Sequence, residues 1–131
     1  MNELYKTFAL KRLNLAKETM RDADLLFANG SYRGAANRIY YAVFHCMRAV
    51  LALEDVDFKK HSAVISYFRH NYIANGKLPI EFSDLIGITF DLRSDCDYDD
   101  NANPEKDDIA DLLSRLGKVV EITEKYLKEN M

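Results

Sequence analysis

Apolar residues recur every three to four positions along nearly the whole chain, and this spacing is typical of one face of a helix. No run alternates with period two for long enough to indicate a strand. The pattern predicts five helices, at about 2–28, 31–54, 61–74, 80–98 and 104–129. We therefore predict an all-α fold in which residues 1–131 form a single domain.

Local signals mark the ends of these helices. Gly30 is expected to take the left-handed conformation that ends the first helix, and Ser31 to cap the second. Pro79 fits the first turn of the fourth helix, where its missing N–H does no harm. The run Asn103-Pro104-Glu105 combines a cap, a proline and an acid, and it predicts the start of the fifth helix.

The second predicted helix is apolar around most of its circumference, which indicates a central position or an interface. Arg38, Tyr41 and His45 interrupt it at spacings of three and four, so they share one face. They could be structural, with an ion pair that fixes helix register and a histidine bonded in the interior. They could instead line a functional cleft, because a guanidinium on an apolar helix needs an anion.

A second group of polar residues lies at the end of the predicted fourth helix. It consists of Arg93, Asp97 and Asp100, with Asp95 and Tyr98 beside them. Arg93 and Asp97 are four residues apart and could pair across one turn. This group is either a solvated, charged helix end or a phosphate site. In a phosphate site the planar fork of Arg93 would hold the anion and Asp97 would orient the arginine.

Composition narrows the function classes. The net charge of −3 argues against a broad positive surface for duplex nucleic acid, although it leaves room for a local basic cleft. Cys46 and Cys96 lack zinc spacing and are interpreted as small hydrophobic residues. His61 is expected to cap the third helix or lie against its start, and His70 to be solvated.

Standard catalytic motifs are missing from the sequence. There is no glycine-rich phosphate loop, HExxH, GxSxG or paired Glu-x-x-His, so we predict no metal and no cofactor. The N-terminus lacks the features of a signal peptide, and no apolar run is long enough for a membrane span. A reducing cytoplasm is the expected location.

Three segments together resemble the HEPN family. They are AANRIYYAVFHCMRAVLALE in the second helix, KKHSAVISYFRHNYIANGKLP across the third, and LRSDCDYDD at the end of the fourth. They are similar to the branch that reads R-x-Y-Y-A-x-F-H in helix two and R-x-x-x-D-Y at the end of helix four. The resemblance covers about residues 5–127. It implies an up-and-down bundle of four or five helices, a homodimer, and a bacterial or archaeal source.

The resemblance also implies a function. Family members are often the toxin half of a toxin–antitoxin pair whose other half is a minimal nucleotidyltransferase. Many are metal-independent ribonucleases in which an arginine, four to six intervening residues and then a histidine lie at a dimer cleft. Arg93 matches the arginine, but Tyr98 follows it and no histidine comes later in the chain. Arg38 and His45 also fit this spacing, but on the second helix, so we treat that match as coincidental.

Three hypotheses follow. The leading one is an interaction module with weak or no catalysis that binds RNA or a nucleotide and works with a nucleotidyltransferase. In that hypothesis Tyr98 could accept a nucleotidyl group. The second is a metal-independent ribonuclease toxin that uses Arg93, with His45 or Tyr98 in place of the absent histidine. The third is a dimerising adaptor bundle whose polar face binds a nucleotide or a protein.

Overall fold

The computed structural model describes residues 2–131, and over this range the chain forms five α-helices and no strand. They are α1 (Glu3–Ala28), α2 (Tyr32–Ala52), α3 (His61–Phe68), α4 (Ile80–Tyr98) and α5 (Lys106–Glu129). A π-helical turn, Arg69–Ile73, extends α3. The predicted all-α class and the five helices are confirmed. None of the helices in residues 2–131 is both long and apolar enough to cross a membrane.

The second helix, α2, lies at the centre of the bundle. It packs against α1, α3, α4 and α5, and more than half of its residues are buried. Fully buried alanines recur every seven residues in α1 (9, 16 and 23) and in α2 (35, 42 and 49). Because such small side chains let two helix backbones approach closely, this spacing suits the extensive α1–α2 contact. The apolar circumference of α2 is therefore accounted for by the protein's own core.

Polar groups inside this core are satisfied locally. Thr19, Thr89 and Thr123 are buried, and each hydroxyl donates to the carbonyl four residues earlier in its own helix, at 2.7 to 2.8 Å. Such a bond removes the penalty of an unpaired buried hydroxyl. At the edge of the core, the Nζ of Lys17 lies 2.6 Å from the Oε2 of Glu124 and joins α1 to α5.

The helix ends differ from their sequence signals in several places. Gly30 has a φ of 76°, so its predicted left-handed conformation is confirmed. The predicted Ser31 cap is wrong, because that side chain makes no capping hydrogen bond. Pro79 precedes the first residue of α4 rather than forming its first turn. The fifth helix begins at Lys106, two residues beyond the predicted start, and no side chain caps it.

The loop between α4 and α5 is attached to the start of α2. The guanidinium of Arg33 donates to the backbone carbonyls of Cys96, Asp99 and Ala102. The Cys96 carbonyl lies in the last turn of α4, where a helix leaves acceptors open, and the Asp99 carbonyl also accepts from the backbone N–H of Ala102. The contact fixes the end of α4, which carries Arg93, against α2.

Removing the ring of Phe82 should destabilise the fold. Phe82 is fully buried, and its ring centroid lies 4.7 Å from that of Phe68. We expect Phe82→Ala to lower the free energy of unfolding by about 3–5 kcal/mol, since a large cavity replaces the ring. Ile80→Ala is the matched control in the same helix, because Ile80 is 59% exposed, and it should change stability by less than about 0.5 kcal/mol. Urea denaturation followed by circular dichroism measures both, and equal effects would contradict this packing.

Candidate functional site

Arg93 lies where α4 meets the central helix. Its guanidinium carbon is 5.0 Å from the ring centroid of Tyr40 and 5.5 Å from that of Tyr41, both of which belong to α2. Its Nε is 3.1 Å from the Oδ2 of Asp97, one turn later, as the spacing predicted. That Nε is buried and completes no hydrogen bond of good geometry. Two aromatic faces and one partly exposed carboxylate thus hold a cation that can still bind an anion.

His61, the first residue of α3, joins the same aromatic cluster. Its Nδ1 is 2.9 Å from the hydroxyl of Tyr40, and its ring stacks on Phe44 with centroids 4.0 Å apart. The ring of Tyr41 meets it edge-on at 5.8 Å. Burial, together with the positive charges of Arg93 and Arg48, lowers the pKa of His61 below its ordinary value of 6.5. The imidazole is therefore mainly neutral at pH 7.

A half-buried polar stripe follows one face of α2. We call it the α2 stripe, and it consists of Arg38, Tyr41, His45 and Arg48. Arg38 lies over the ring of Tyr41 at 5.1 Å and donates only to the neutral side chain of Asn37. Within residues 2–131 it has no carboxylate partner, so the expected ion pair that fixes helix register does not form.

Asp57 supplies the negative charge at the C-terminal end of the α2 stripe, next to Arg48. Arg48 donates to it through two nitrogens, at 3.1 and 2.6 Å, and Arg12 of α1 donates to it at 3.2 Å. Burial is the main cause that lowers the pKa of Arg12, and the positive charge of Arg48 lowers it further, while Asp57 opposes both effects. One carboxylate therefore serves two guanidinium groups, and the excess charge at this end is positive.

His45 sits among these cations as a neutral group. Burial is the main cause that lowers its pKa to about 4, and the charges of Arg48, Arg38 and Arg12 add to the effect. Its Nδ1 is buried and has no hydrogen-bond partner within the described chain, so it is not the satisfied interior histidine of the structural interpretation.

An open cavity of about 330 Å³ lies beside His61, between α2 and the loop that joins α2 to α3. Arg48 and Lys59 contribute cations to its wall, Phe44 and Phe58 contribute aromatic rings, and Asp57 is the one carboxylate. In the described part of the chain, no three His, Cys, Asp or Glu side chains converge as metal ligands would. Cationic and aromatic groups around an open cavity suit a phosphate next to a stacked base.

The structure brings together only part of the residue set predicted from the sequence. Arg38, Tyr41, His45, Arg93 and Asp97 all lie along or beside the α2 stripe. Tyr98 does not join them. It is 91% exposed at the end of α4, since five residues of helix turn it away from the face that Arg93 occupies. Asp100 is exposed in the following loop.

Sequence reasoning did not assign five members of this site, which are Arg12, Tyr40, Arg48, Asp57 and His61. Arg48 continues the 38, 41, 45 spacing by three more residues, so helical periodicity could have found it. His61 follows two lysines before a helix, a weaker signal. Nothing local indicates Arg12 or Asp57, because their contact joins residues far apart in the chain.

The low pKa of His45 predicts a pH-dependent stability. Between pH 6.5 and about 4 the unfolded chain binds a proton at His45 and the native chain does not, so stability should fall as pH drops through this range. After allowance for the partial exposure of the ring, we expect a loss of about 1 kcal/mol. His45→Gln should remove that part of the loss in urea denaturation at about pH 7 and about pH 4.5. An unchanged pH dependence in this variant would contradict the assignment, and His70→Gln, at an exposed position, is the control.

Comparison with known proteins agrees with this architecture. The family model for the HEPN domain matches residues 9–126. A protein named "Putative toxin" from Methanocaldococcus jannaschii is 29% identical over 123 residues, which cover 94% of this chain and 84% of that protein. A second protein of the same name and organism is 30% identical and covers 89% of this chain and 87% of its own length.

A bacterial relative extends the match to nearly full length. A protein from Thermotoga maritima named "UPF0332 protein" is 30% identical over 129 residues, which cover 98% of this chain and 97% of that protein. The helical bundle, the match of the family model and these long alignments lead to one conclusion. The chain belongs to the HEPN domain family.

Proposed function

We propose that this protein is the toxin half of a toxin–antitoxin-like pair and that it acts on RNA through Arg93 and the α2 stripe. The observation that carries the proposal is the cluster in which two tyrosine rings hold Arg93 beside a stripe of further cations. Two relatives whose names include the word toxin support the first part. A minimal nucleotidyltransferase as partner and a homodimer are carried over from the family resemblance.

The charge distribution favours RNA as the target. The chain as a whole carries −3, yet Arg12, Arg38, Arg48 and Arg93 face only Asp57 and Asp97 in this region. The α2 stripe runs about 15 Å along the helix, enough for a short single-stranded segment. Aromatic rings between the cations suit unpaired bases, which stack on them, whereas a duplex hides its bases.

Loss of Arg93 should weaken RNA binding. We expect Arg93→Ala to raise the Kd for a fluorescent single-stranded RNA about tenfold, because one charge-assisted phosphate contact is lost. The slope of log K against log salt should become shallower by about 0.7. Fluorescence anisotropy over a salt series measures both quantities.

Arg115→Ala is the matched control for this experiment. Arg115 lies in α5, 3.8 Å from Asp111, and takes no part in the aromatic cluster. It should bind RNA as the unchanged protein does. Equal loss in both variants would show that binding depends only on overall charge. No RNA binding by the unchanged protein at low salt would end the proposal.

A second candidate function rests on the exposure of Tyr98. Its side chain is 91% exposed on the last turn of α4, so a partner enzyme can reach the phenol oxygen without unfolding the helix. We propose that a nucleotidyltransferase partner transfers a nucleotidyl group from ATP to this oxygen, with release of pyrophosphate. The added negative charge at the end of α4 would then oppose the approach of an RNA backbone to this part of the protein.

Intact mass spectrometry tests this modification. After incubation with the nucleotidyltransferase partner and ATP, the protein should gain the mass of one nucleotidyl group, and Tyr98→Phe should gain none. Tyr32→Phe, at a half-buried position in α2, should still be modified and serves as the control. An adduct that persists in Tyr98→Phe would place the modification elsewhere.

A further inference from the structure

We propose that a cavity between α3 and α4 binds a small organic anion with a flat apolar body, and that Arg69 holds the carboxylate of that ligand. The walls of this cavity include neither Arg93 nor any residue of the α2 stripe. The inference therefore goes beyond the proposed function, and its tests use no RNA.

Two helix faces form the walls of the cavity, which has a volume of about 740 Å³. Its lining positions follow helical spacing on both sides, at 62, 65, 66, 69 and 70 of α3 with its π-helical turn and at 86, 87, 90 and 91 of α4. The two segments pack on each other mainly at the π-helical turn, so α3 and α4 leave a gap between them. A concave space of this size is typical of small-molecule sites.

The floor of the cavity is apolar, and one aromatic ring is available in its wall. Ile65 and Ile86 are buried in the core, whereas Phe90 is 37% exposed. The Phe90 ring also packs against the ring of Tyr40 in α2, with centroids 5.9 Å apart and the two planes steeply inclined. Because this contact holds the Phe90 ring, a planar ligand can stack on its exposed part with little loss of rotamer entropy.

Arg69 supplies the positive charge of the cavity wall, and its guanidinium is already oriented. Its Nε donates to the hydroxyl of Ser83 at 3.0 Å, and its Nη2 donates to the Ser83 carbonyl at 3.2 Å. Within residues 2–131 it forms no ion pair, and its Nη1 donates to no protein group. A planar fork that two neutral acceptors hold in place still has donors for a carboxylate.

Gly87 makes room for this guanidinium in the middle of α4. A glycine inside a helix weakens the helix relative to alanine, so its position needs a reason. A Cβ atom on Gly87 would lie 3.3 Å from the Nη2 of Arg69, whereas a Cβ atom on Gly117 of α5 would meet nothing within 4 Å. The missing side chain of Gly87 therefore lets the cation lie against the helix at the edge of the cavity.

The backbone beside the cavity is irregular at the same place. Arg69 begins the π-helical turn, and its carbonyl accepts from the N–H of Ala74, five residues later, at 2.9 Å. Both of these residues line the cavity. Turns of this kind are rare and frequently occur at functional sites. The irregular backbone thus supports the assignment independently of the charges.

The charges around the cavity favour a ligand with a single negative charge. Asp91 lies in the α4 wall and Arg69 in the other, and Ser62, Ser66 and His70 are the remaining polar groups of the lining. One carboxylate balances the guanidinium, whereas Asp91 would repel the further charges of a polyanion. The ligand class that fits is consequently a monocarboxylic acid with an aromatic or other planar apolar body.

Titration of the full chain with 2-naphthoate, followed by proton–nitrogen correlation NMR, tests the site. The amide signals of Ser66, Gly87 and Phe90 should shift and saturate. Arg69→Gln should raise the Kd of 2-naphthoate about five- to tenfold, because a charge-assisted contact is lost. The same variant should leave the Kd of 2-naphthylmethanol, a neutral probe of similar shape, unchanged. Arg21→Gln, at an exposed position in α1, is the charge control and should bind both probes as the unchanged protein does.

A pair of glycine substitutions tests the cavity itself. Gly87→Leu places a bulky side chain at the cavity wall and should abolish the binding of both probes. Gly117→Leu makes the same change in α5, away from the cavity, and should leave binding intact. Leucine favours a helix more than glycine does, so circular dichroism should show that both variants keep their helices.

Three results would overturn the inference. Equal affinity for 2-naphthoate and 2-naphthylmethanol in the unchanged protein, or an equal loss in Arg69→Gln and Arg21→Gln, would mean that Arg69 does not bind the anion. Unchanged binding by Gly87→Leu would place the ligand elsewhere. The absence of saturable shifts at millimolar probe, or shifts confined to other helices, would show that the cavity is not a binding site.

Discussion

The burial of α2 among its neighbours is the constraint on which the rest of the structure depends. Contacts with α1, α4 and α5 cover its apolar sides, and fully buried alanines allow the close approach of α1. Only one face stays partly open, and the long polar side chains of Arg38, His45 and Arg48 lie there because their charged or polar ends need solvent or a partner. The position of the candidate site is thus a consequence of how the core is filled.

Excess positive charge gives this face its chemistry. Burial is the main cause that lowers the pKa of Arg12, His45 and His61, and neighbouring guanidinium charges lower each of them further, although the chain as a whole is acidic. Repulsion among like charges destabilises the unliganded site, and a bound polyanion would offset it. The same positive charge that favours an anion also adds to the effect of burial on the two imidazoles.

The aromatic rings connect these charges to the fold. Tyr40 is almost fully buried, and it contacts Arg93 through its face and His61 through its hydroxyl. A side chain anchored in the core therefore positions two groups at the surface, with little loss of rotamer entropy on binding. In this arrangement the functional groups need not follow each other in one helix. The HEPN resemblance, which is based on spacing within helices, does not register such a pair.

The sequence by itself determined the helices and the family, because apolar periodicity and segment order are local properties of the chain. It also indicated Arg93 with Asp97, and the shared face of Arg38 and His45, since both follow from helical spacing. Only the tertiary structure brought His61 to Tyr40, turned Tyr98 outward and brought Arg12 of α1 to the Asp57 that also binds Arg48. Those relations depend on helix crossing and on the length and course of loops, and residues many turns apart in sequence carry no periodic signal of their contact.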